Sequence, residues 1–293
     1  MGAAAAASVL IMAACGAGQP ESSPDRLDTQ AKAIRLYVFD CGTLKADPAR
    51  FRLSKEEVAT TDLSVACFLV AHPQGRLIWD AGAVPDADWT PTGGEVAHHL
   101  VLPDGGERDV TLRAPLMRQL AEVGYSPADI TYLVFSHYHW DHTANANAFQ
   151  SATWLVRQVE RDAMFAENPP GVTRPSAYAA LKNSKTVIIE SDEHDVFGDG
   201  TVVIKLAPGH TPGHQILYLK LPNTGPIVLS GDLYHFPEAR ALKRVPTFDF
   251  NQQQTPVTRE AIEAFLTSTG AQLWIQHDSA GNARLKKAPE YYD

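Results

Sequence analysis

The segment Ser136-His-Tyr-His-Trp-Asp-His142 constrains this chain more than any other feature. It places His137, His139, Asp141 and His142 directly behind the apolar run Tyr132-Leu-Val-Phe135. A strand that ends in such a cluster presents its side chains from a rigid edge, where several can converge on one point. Neutral imidazole and carboxylate together suit Zn²⁺ and its neighbours, not the all-oxygen shells that Ca²⁺ and Mg²⁺ prefer. The bland alternative is a polar loop with surface histidines.

Three further segments weaken that alternative. Val202-Val-Ile-Lys-Leu-Ala207 leads into Pro208-Gly-His-Thr-Pro-Gly-His214, Ile227-Val-Leu229 into Ser230-Gly-Asp-Leu-Tyr234, and Leu273-Trp-Ile275 into Gln276-His-Asp278. Each is a strand-like run ending in a Gly-punctuated or polar turn that carries a ligand candidate. Loops held by strand ends are the usual seat of catalytic groups in α/β enzymes. His137, His139, His214, Asp141, His142, His277 and Asp232 together form a set able to hold two metals, with one carboxylate bridging two tripods.

The order HxHxDH, PGHTPGH, SGD and a late His resembles the metallo-β-lactamase superfamily. Within it, Phe39-Asp-Cys-Gly42, Leu77-Ile-Trp-Asp-Ala-Gly82 and the double Pro-Gly-His are similar to motifs of the N-acyl-homoserine lactonases. The resemblance spans about Ile34 to His277 and implies an α/β, four-layer αββα sandwich. It implies two Zn²⁺ per chain, the first on His137, His139 and His214 and the second on Asp141, His142 and His277, with Asp232 bridging. Asp232 stands where the β-lactamases have Cys or Ser, and His139 where di-iron redox relatives have Glu. Both differences favour zinc hydrolysis. Asp141 is also expected to give a proton to the departing alkoxide, and Tyr234, two residues after the bridge, to donate to the oxyanion.

The reaction these residues imply is opening of the lactone ring of N-acyl-homoserine lactones, which quenches quorum signals. Hydrolysis of another small lactone, ester or hydroxyacylglutathione-type thioester, with Lys243 and Arg244 as anchors for glutathione, stays open. So does a mononuclear iron sulfur-dioxygenase. The net charge of −9, with no run of Lys or Arg, argues against a nucleic-acid partner, which needs cations to displace counterions. Acyl-chain preference, native metal and oligomeric state are not written in the sequence.

The N-terminus reads as a targeting segment. Ala3 to Ala14 is small and apolar, too short to span a bilayer yet suited to the core of a signal peptide. Met12-Ala-Ala-Cys15 resembles a bacterial lipoprotein box, so residues 1–15 form a leader with Cys15 as a lipid anchor, or are cleaved without lipid. Residues 16–32 form a flexible tether. Residues 33–293 then form one metallo-β-lactamase-fold domain that is exported and stands in the periplasm, on the envelope or in the medium. Cys41 and Cys67, each beside an apolar run, read as two buried thiols rather than a disulfide pair.

Past the tether, strand and helix signals alternate, as in an α/β protein. Ile34–Phe39, Val65–Val70 and Arg76–Trp79 read as strands, the last two as a hairpin. Leu112, Leu116, Leu120 and Val123 recur at helical spacing before Gly124, and Thr258–Leu266 does the same before Gly270. Ala83–Asp109 and His235–Gln254 show no pattern and read as long loops. His72, His98, His99, His194 and His235 read as solvated. Asp80 is expected to orient a ligand imidazole, His210 to brace His214, and Tyr138 and Trp140 to pack.

Overall fold

In the computed structural model the described residues are 1–2, 33–89 and 95–293. The expected leader and tether lie almost wholly outside them. The first eight strands are β1 (Arg35–Lys45), β2 (Asp62–His72), β3 (Gly75–Trp79), β4 (Val96–Val101), β5 (Glu107–Leu112), β6 (Tyr132–Val134), β7 (Thr153–Val156) and β8 (Thr186–Ile188). They form one sheet in the order β4-β5-β1-β2-β3-β6-β7-β8. Strands β9 (Glu193–Asp195), β10 (Val202–Leu206), β11 (Gln215–Leu221), β12 (Gly225–Leu229) and β13 (Gln272–Trp274) form a second sheet, in the reverse order.

Helices α1 (Leu116–Glu122), α2 (Trp140–Thr143), α3 (Gln158–Met164), α4 (Pro175–Tyr178), α5 (Pro237–Ala241), α6 (Gln254–Thr269) and α7 (Ser279–Arg284) complete the regular elements. The alternation of side chains along the strands sorts them into layers. Val38, Phe68, Val70 and Trp79 of the first sheet meet Ile204, Leu217, Leu219 and Leu229 of the second in a core between the sheets. The opposite face of the first sheet buries Phe39, Leu69 and Ile78 with Leu116 and Leu120 of α1 and Met164 of α3. The opposite face of the second sheet packs Tyr218 and Val228 against Ile262 and Leu266 of α6. Two sheets back to back with helices outside are the expected four-layer sandwich.

The helix and strand readings hold with shifted ends. The first helix starts at Leu116 because Pro115 precedes it, and Gly124 and Gly270 sit at φ +82° and +67°, where a C-terminal cap needs glycine. The stretch Ala83–Asp109 is not a plain loop: it supplies β4 and the start of β5, an antiparallel hairpin on the sheet edge. On β4 only Leu100 is buried, and Val101 stands exposed, because this edge of the sheet faces water. Cys41 and Cys67 are joined in a disulfide, which corrects the reading as free thiols. They lie on the adjacent strands β1 and β2, where Phe39, two residues before Cys41, pairs with Cys67 and a register shift follows Asp40.

Candidate metal centre

Three parallel strands prepare the site. β3, β6 and β7 run side by side in parallel, so the residues after their C-terminal ends share one edge of the sheet. In the second sheet β12 runs parallel to β13, which brings the Ser230 turn beside Gln276 and His277. Open α/β sheets place ligands at such carboxyl ends.

Asp80 ties these ends together. It follows β3 in a left-handed conformation, φ +58°, which aspartate tolerates better than most residues. Its fully buried carboxylate accepts from Ser136 N at 2.6 Å, Ser136 Oγ at 2.9 Å, His142 Nδ1 at 2.8 Å and Gln276 Nε2 at 2.7 Å. It therefore orients a ligand imidazole, as expected, and also fixes the start of the His137 loop. Glu160 of α3 acts on the far side of that loop. Its buried carboxyl accepts from Tyr138 N at 3.0 Å and Gly213 N at 2.7 Å, joining the two histidine-bearing loops. Burial pushes the Glu160 carboxyl up to about 7, against the pull of those donors.

The imidazoles are held in a common pattern. His137 Nδ1 donates to Ser136 Oγ at 3.0 Å, His142 Nδ1 to Asp80, His277 Nδ1 to Ser64 O at 2.7 Å and His210 Nδ1 to Asp249 Oδ1 at 2.9 Å. A proton on Nδ1 leaves the Nε2 lone pair free, the usual presentation of a metal-ligating histidine. These Nε2 atoms converge on Asp232. Its Oδ1 lies 3.0 Å from His277 and 3.2 Å from His142, and its Oδ2 lies 3.2 Å from His210 and 3.5 Å from His137. His139 Nδ1 lies 3.0 Å from His210 Nε2. Asp141 stands at the mouth, its Oδ2 3.7 Å from His277 and its Oδ1 3.9 Å from His142.

The buried polar atoms at the centre lack partners. Among the described residues His137 Nε2, His142 Nε2 and Asp232 Oδ1 find no hydrogen-bond partner, although each is enclosed. Buried polar atoms seldom go unsatisfied, and here the unsatisfied ones are donor atoms that all face inward. Burial and the neighbouring imidazoles of His142 and His139 push His137 far below its ordinary value, so it is a neutral ligand. The donor atoms fall into three overlapping groups: His137, His139, His210 and Asp232; Asp141, His142 and His277; and Asp232, His235 and His277. Asp232 belongs to two of them and faces the other. The residues fit divalent transition-metal ions.

Two sequence expectations are corrected here. His214 is not placed as a ligand: its Nδ1 donates to Ala207 O at 2.8 Å and its Nε2 accepts from Asp232 N at 2.9 Å, so no lone pair remains. His210 takes the ligand position and His214 supports the backbone of Asp232, the reverse of the expected roles. Tyr234 does not face the centre. Its hydroxyl donates to Glu263 Oε1 at 3.0 Å, its ring lies under Arg259 at 4.3 Å, and it lines a separate cavity of about 970 Å³ behind α5 and α6. It is therefore removed from the oxyanion role.

Histidines read as solvated divide. His99 is exposed and paired with Asp109 at 2.8 Å. His72 is buried, stacked on Phe197 at 4.1 Å and bonded to Asp199 at 2.9 Å. His235 is also buried, and its Nε2 lies 3.0 Å from Asp232 Oδ2. The signal for it was its spacing: a tight turn brings residues i and i+3 to one face. Trp140 packs, as expected, but also lines the cleft over the centre.

That cleft measures about 340 Å³, and Phe51, Phe248, Val172 and Trp140 line it beside Asp141 and His235. Lys45, Arg50, Glu107 and Arg108 share the lining, so an apolar patch stands beside charged groups over a polar floor, which suits a small molecule with one apolar arm and one reactive polar group.

The Metallo-beta-lactamase superfamily model matches residues 60–266. The N-acyl homoserine lactonase AttM of Azorhizobium caulinodans is 30% identical over 275 residues, covering 89% of this chain and 99% of the relative. A Bacillus sp. N-acyl homoserine lactonase is 27% identical over 260 residues, with 88% and 98% covered. The structure of a Bacillus thuringiensis AiiA variant with N-decanoyl-L-homoserine at its active site superposes with a TM-score of 0.72 at 23% identity, covering 88% of this chain and 98% of that one. The dizinc quorum-quenching lactonase AidC, in complex with a product, gives 0.63 at 17% identity, with 89% and 94% covered. With the sandwich, the converging donors and a match across most of the chain, this protein belongs to the metallo-β-lactamase superfamily.

Proposed function

We propose that this protein is a dinuclear zinc hydrolase that opens the lactone ring of N-acyl-homoserine lactones. The observation that carries the reading is the set of donor groups around Asp232 beneath a cleft with an apolar patch of Phe51, Trp140, Val172 and Phe248. The lactonase relatives, similar over nearly their whole length, support it. The Lys243 and Arg244 anchors that a glutathione thioester would use do not line this cleft; Lys243 lines the cavity behind α5 and α6, and Arg244 lies 3.9 Å from Glu57.

His137, His139 and His210 would hold one Zn²⁺, and Asp141, His142 and His277 the other, with Asp232 between them. When bound, such a pair supplies an activated water and polarises the ester carbonyl. The chain's own residues do the rest. Phe51, Phe248 and Trp140 exclude bulk water and give the acyl chain an apolar wall. Asp141, at the cleft mouth, is placed to pass a proton to the ring oxygen as the carbon–oxygen bond breaks. Water adds across that bond, so the product is the N-acyl-homoserine with its amide intact.

Export is part of the proposal. The apolar stretch before Cys15 supports it, with Cys15 as a lipid anchor, and the Cys41–Cys67 disulfide fits an oxidising compartment. Fractionation of the native host is expected to place the protein in the envelope or medium, and cytosolic full-length chain would overturn this.

Mass spectrometry tests the reaction. Zinc-loaded protein with an N-acyl-homoserine lactone should give a product heavier by one water, which acid closes again. Release of a fatty acid, or no turnover of any lactone by fully loaded protein, would falsify the assignment.

A further inference from the structure

His235 departs from the pattern that His137, His142, His210 and His277 share around Asp232. His137, His142, His210 and His277 each have an Nδ1 partner, which fixes the proton there and turns Nε2 inward as a ligand. Among the described residues His235 Nδ1 has no partner, and it is buried, while its Nε2 faces Asp232 Oδ2 at 3.0 Å. With nothing to accept a proton from Nδ1, the ring proton belongs on the nitrogen that faces the carboxylate. A buried N–H without an acceptor is also costlier to leave than a spare lone pair, since donors are the groups native proteins rarely orphan.

The ring has little freedom to do anything else. It is 4% exposed, parallel to His277 at 5.4 Å between centroids, and held between Phe51 at 4.8 Å and Phe248 at 5.6 Å. Those aromatic walls offer no acceptor, so Asp232 is the polar group that the ring is aimed at. The aspartate is thereby reached from two sides, at its backbone N–H by His214 and at Oδ2 by His235.

We propose that His235 is a positioning residue of the metal centre, whose Nε2–H holds the bridging carboxylate of Asp232 in the orientation both cations need. The inference rests on the metal-centre reading. A bridging carboxylate spends one lone pair per oxygen on the cations, and the second lone pair of Oδ2 remains to accept a hydrogen bond. Ligating carboxylates are commonly fixed in this way, and loss of such a partner costs about 10–100-fold in metal affinity.

The direct test is the tautomer. Long-range ¹H–¹⁵N spectra of the cadmium-113-loaded protein should show His235 protonated at Nε2 and uncoupled to cadmium. His137, His142, His210 and His277 should be protonated at Nδ1 and coupled through Nε2. A cadmium coupling at His235 would make it a ligand and overturn the proposal while leaving the centre intact; failure to bind cadmium at all would overturn both readings. Chelator competition gives the second test. His235→Phe, which keeps the ring between its aromatic neighbours, should weaken cation binding about 10–100-fold. His235→Gln, with an amide N–H in reach of Asp232, should recover most of that loss. Tight binding in His235→Phe, or equal weakness in both variants, would refute the positioning role.

Discussion

The loop Ser136–His142 and the turn Ser230–His235 both close a parallel strand and both feed the same centre, yet they deliver their side chains differently. In the first, His137, His139, Asp141 and His142 all reach the site, and the backbone is clamped by Asp80 and Glu160 from either side. In the second, the chain passes through one tight turn, Gly231–Leu233, and side chains part company. Asp232 and His235 face the donors, while Leu233 and Tyr234 are buried against α6, where the Tyr234 hydroxyl donates to Glu263. A cluster that is dense in sequence needs no knowledge of the turn to be recognised. A sparse one does, because a shift of one residue in a tight turn changes the side of the sheet a group serves.

Substitutions that probe this contrast span a wide range of effect. Asp232→Ala removes the group that faces both donor sets and should lower activity by roughly 10³-fold or more, with loss of bound metal seen by elemental analysis. The paired histidines sharpen the point. His210→Ala should drop the stoichiometry of bound cations, whereas His214→Ala should keep both and weaken them by about 10–100-fold, as expected for a residue that acts through Asp232. If chelator titration shows the opposite order, the two residues have been assigned in reverse.

Smaller effects fall away from the centre. The Cys41–Cys67 bond closes a segment of sequence separation 26, and its removal in the double Cys→Ser variant should cost about 2–4 kcal/mol of stability by denaturant unfolding. An unchanged midpoint would show that the bond adds nothing to the folded state. Tyr234→Phe should be the mildest. It loses one hydrogen bond to a half-exposed Glu263, about 1 kcal/mol, and turnover should change by less than about twofold. A hundredfold fall in rate with metals retained would return Tyr234 to the oxyanion.

The α/β alternation and most of the donor set are written in short-range pattern, whereas the four-layer sandwich was legible only through the family resemblance. Apolar runs such as Tyr132–Val134 and Ile227–Leu229 end in Gly or polar turns, and the donors follow at once. What the sequence did not carry depends on the backbone between donors. His210 and His214 occupy equivalent Pro-Gly-His units, and only the hydrogen bond from Asp232 N to His214 Nε2 separates ligand from support. The β4–β5 hairpin was missed because its water-facing edge strand, Val-Ala-His-His-Leu-Val, does not alternate apolar and polar residues as a half-buried strand does. The cysteine pair was missed because the pairing of β1 with β2, which makes their strands neighbours, has no local signature.

The central claim is that two cations share Asp232, one on His137, His139 and His210 and one on Asp141, His142 and His277. Anomalous diffraction from zinc-loaded crystals at the zinc edge tests it most directly. Two peaks flanking the Asp232 carboxylate, with His210 and not His214 beside the first, are the predicted result. A single peak, or density bound through His214 with Asp232 turned away, would contradict it.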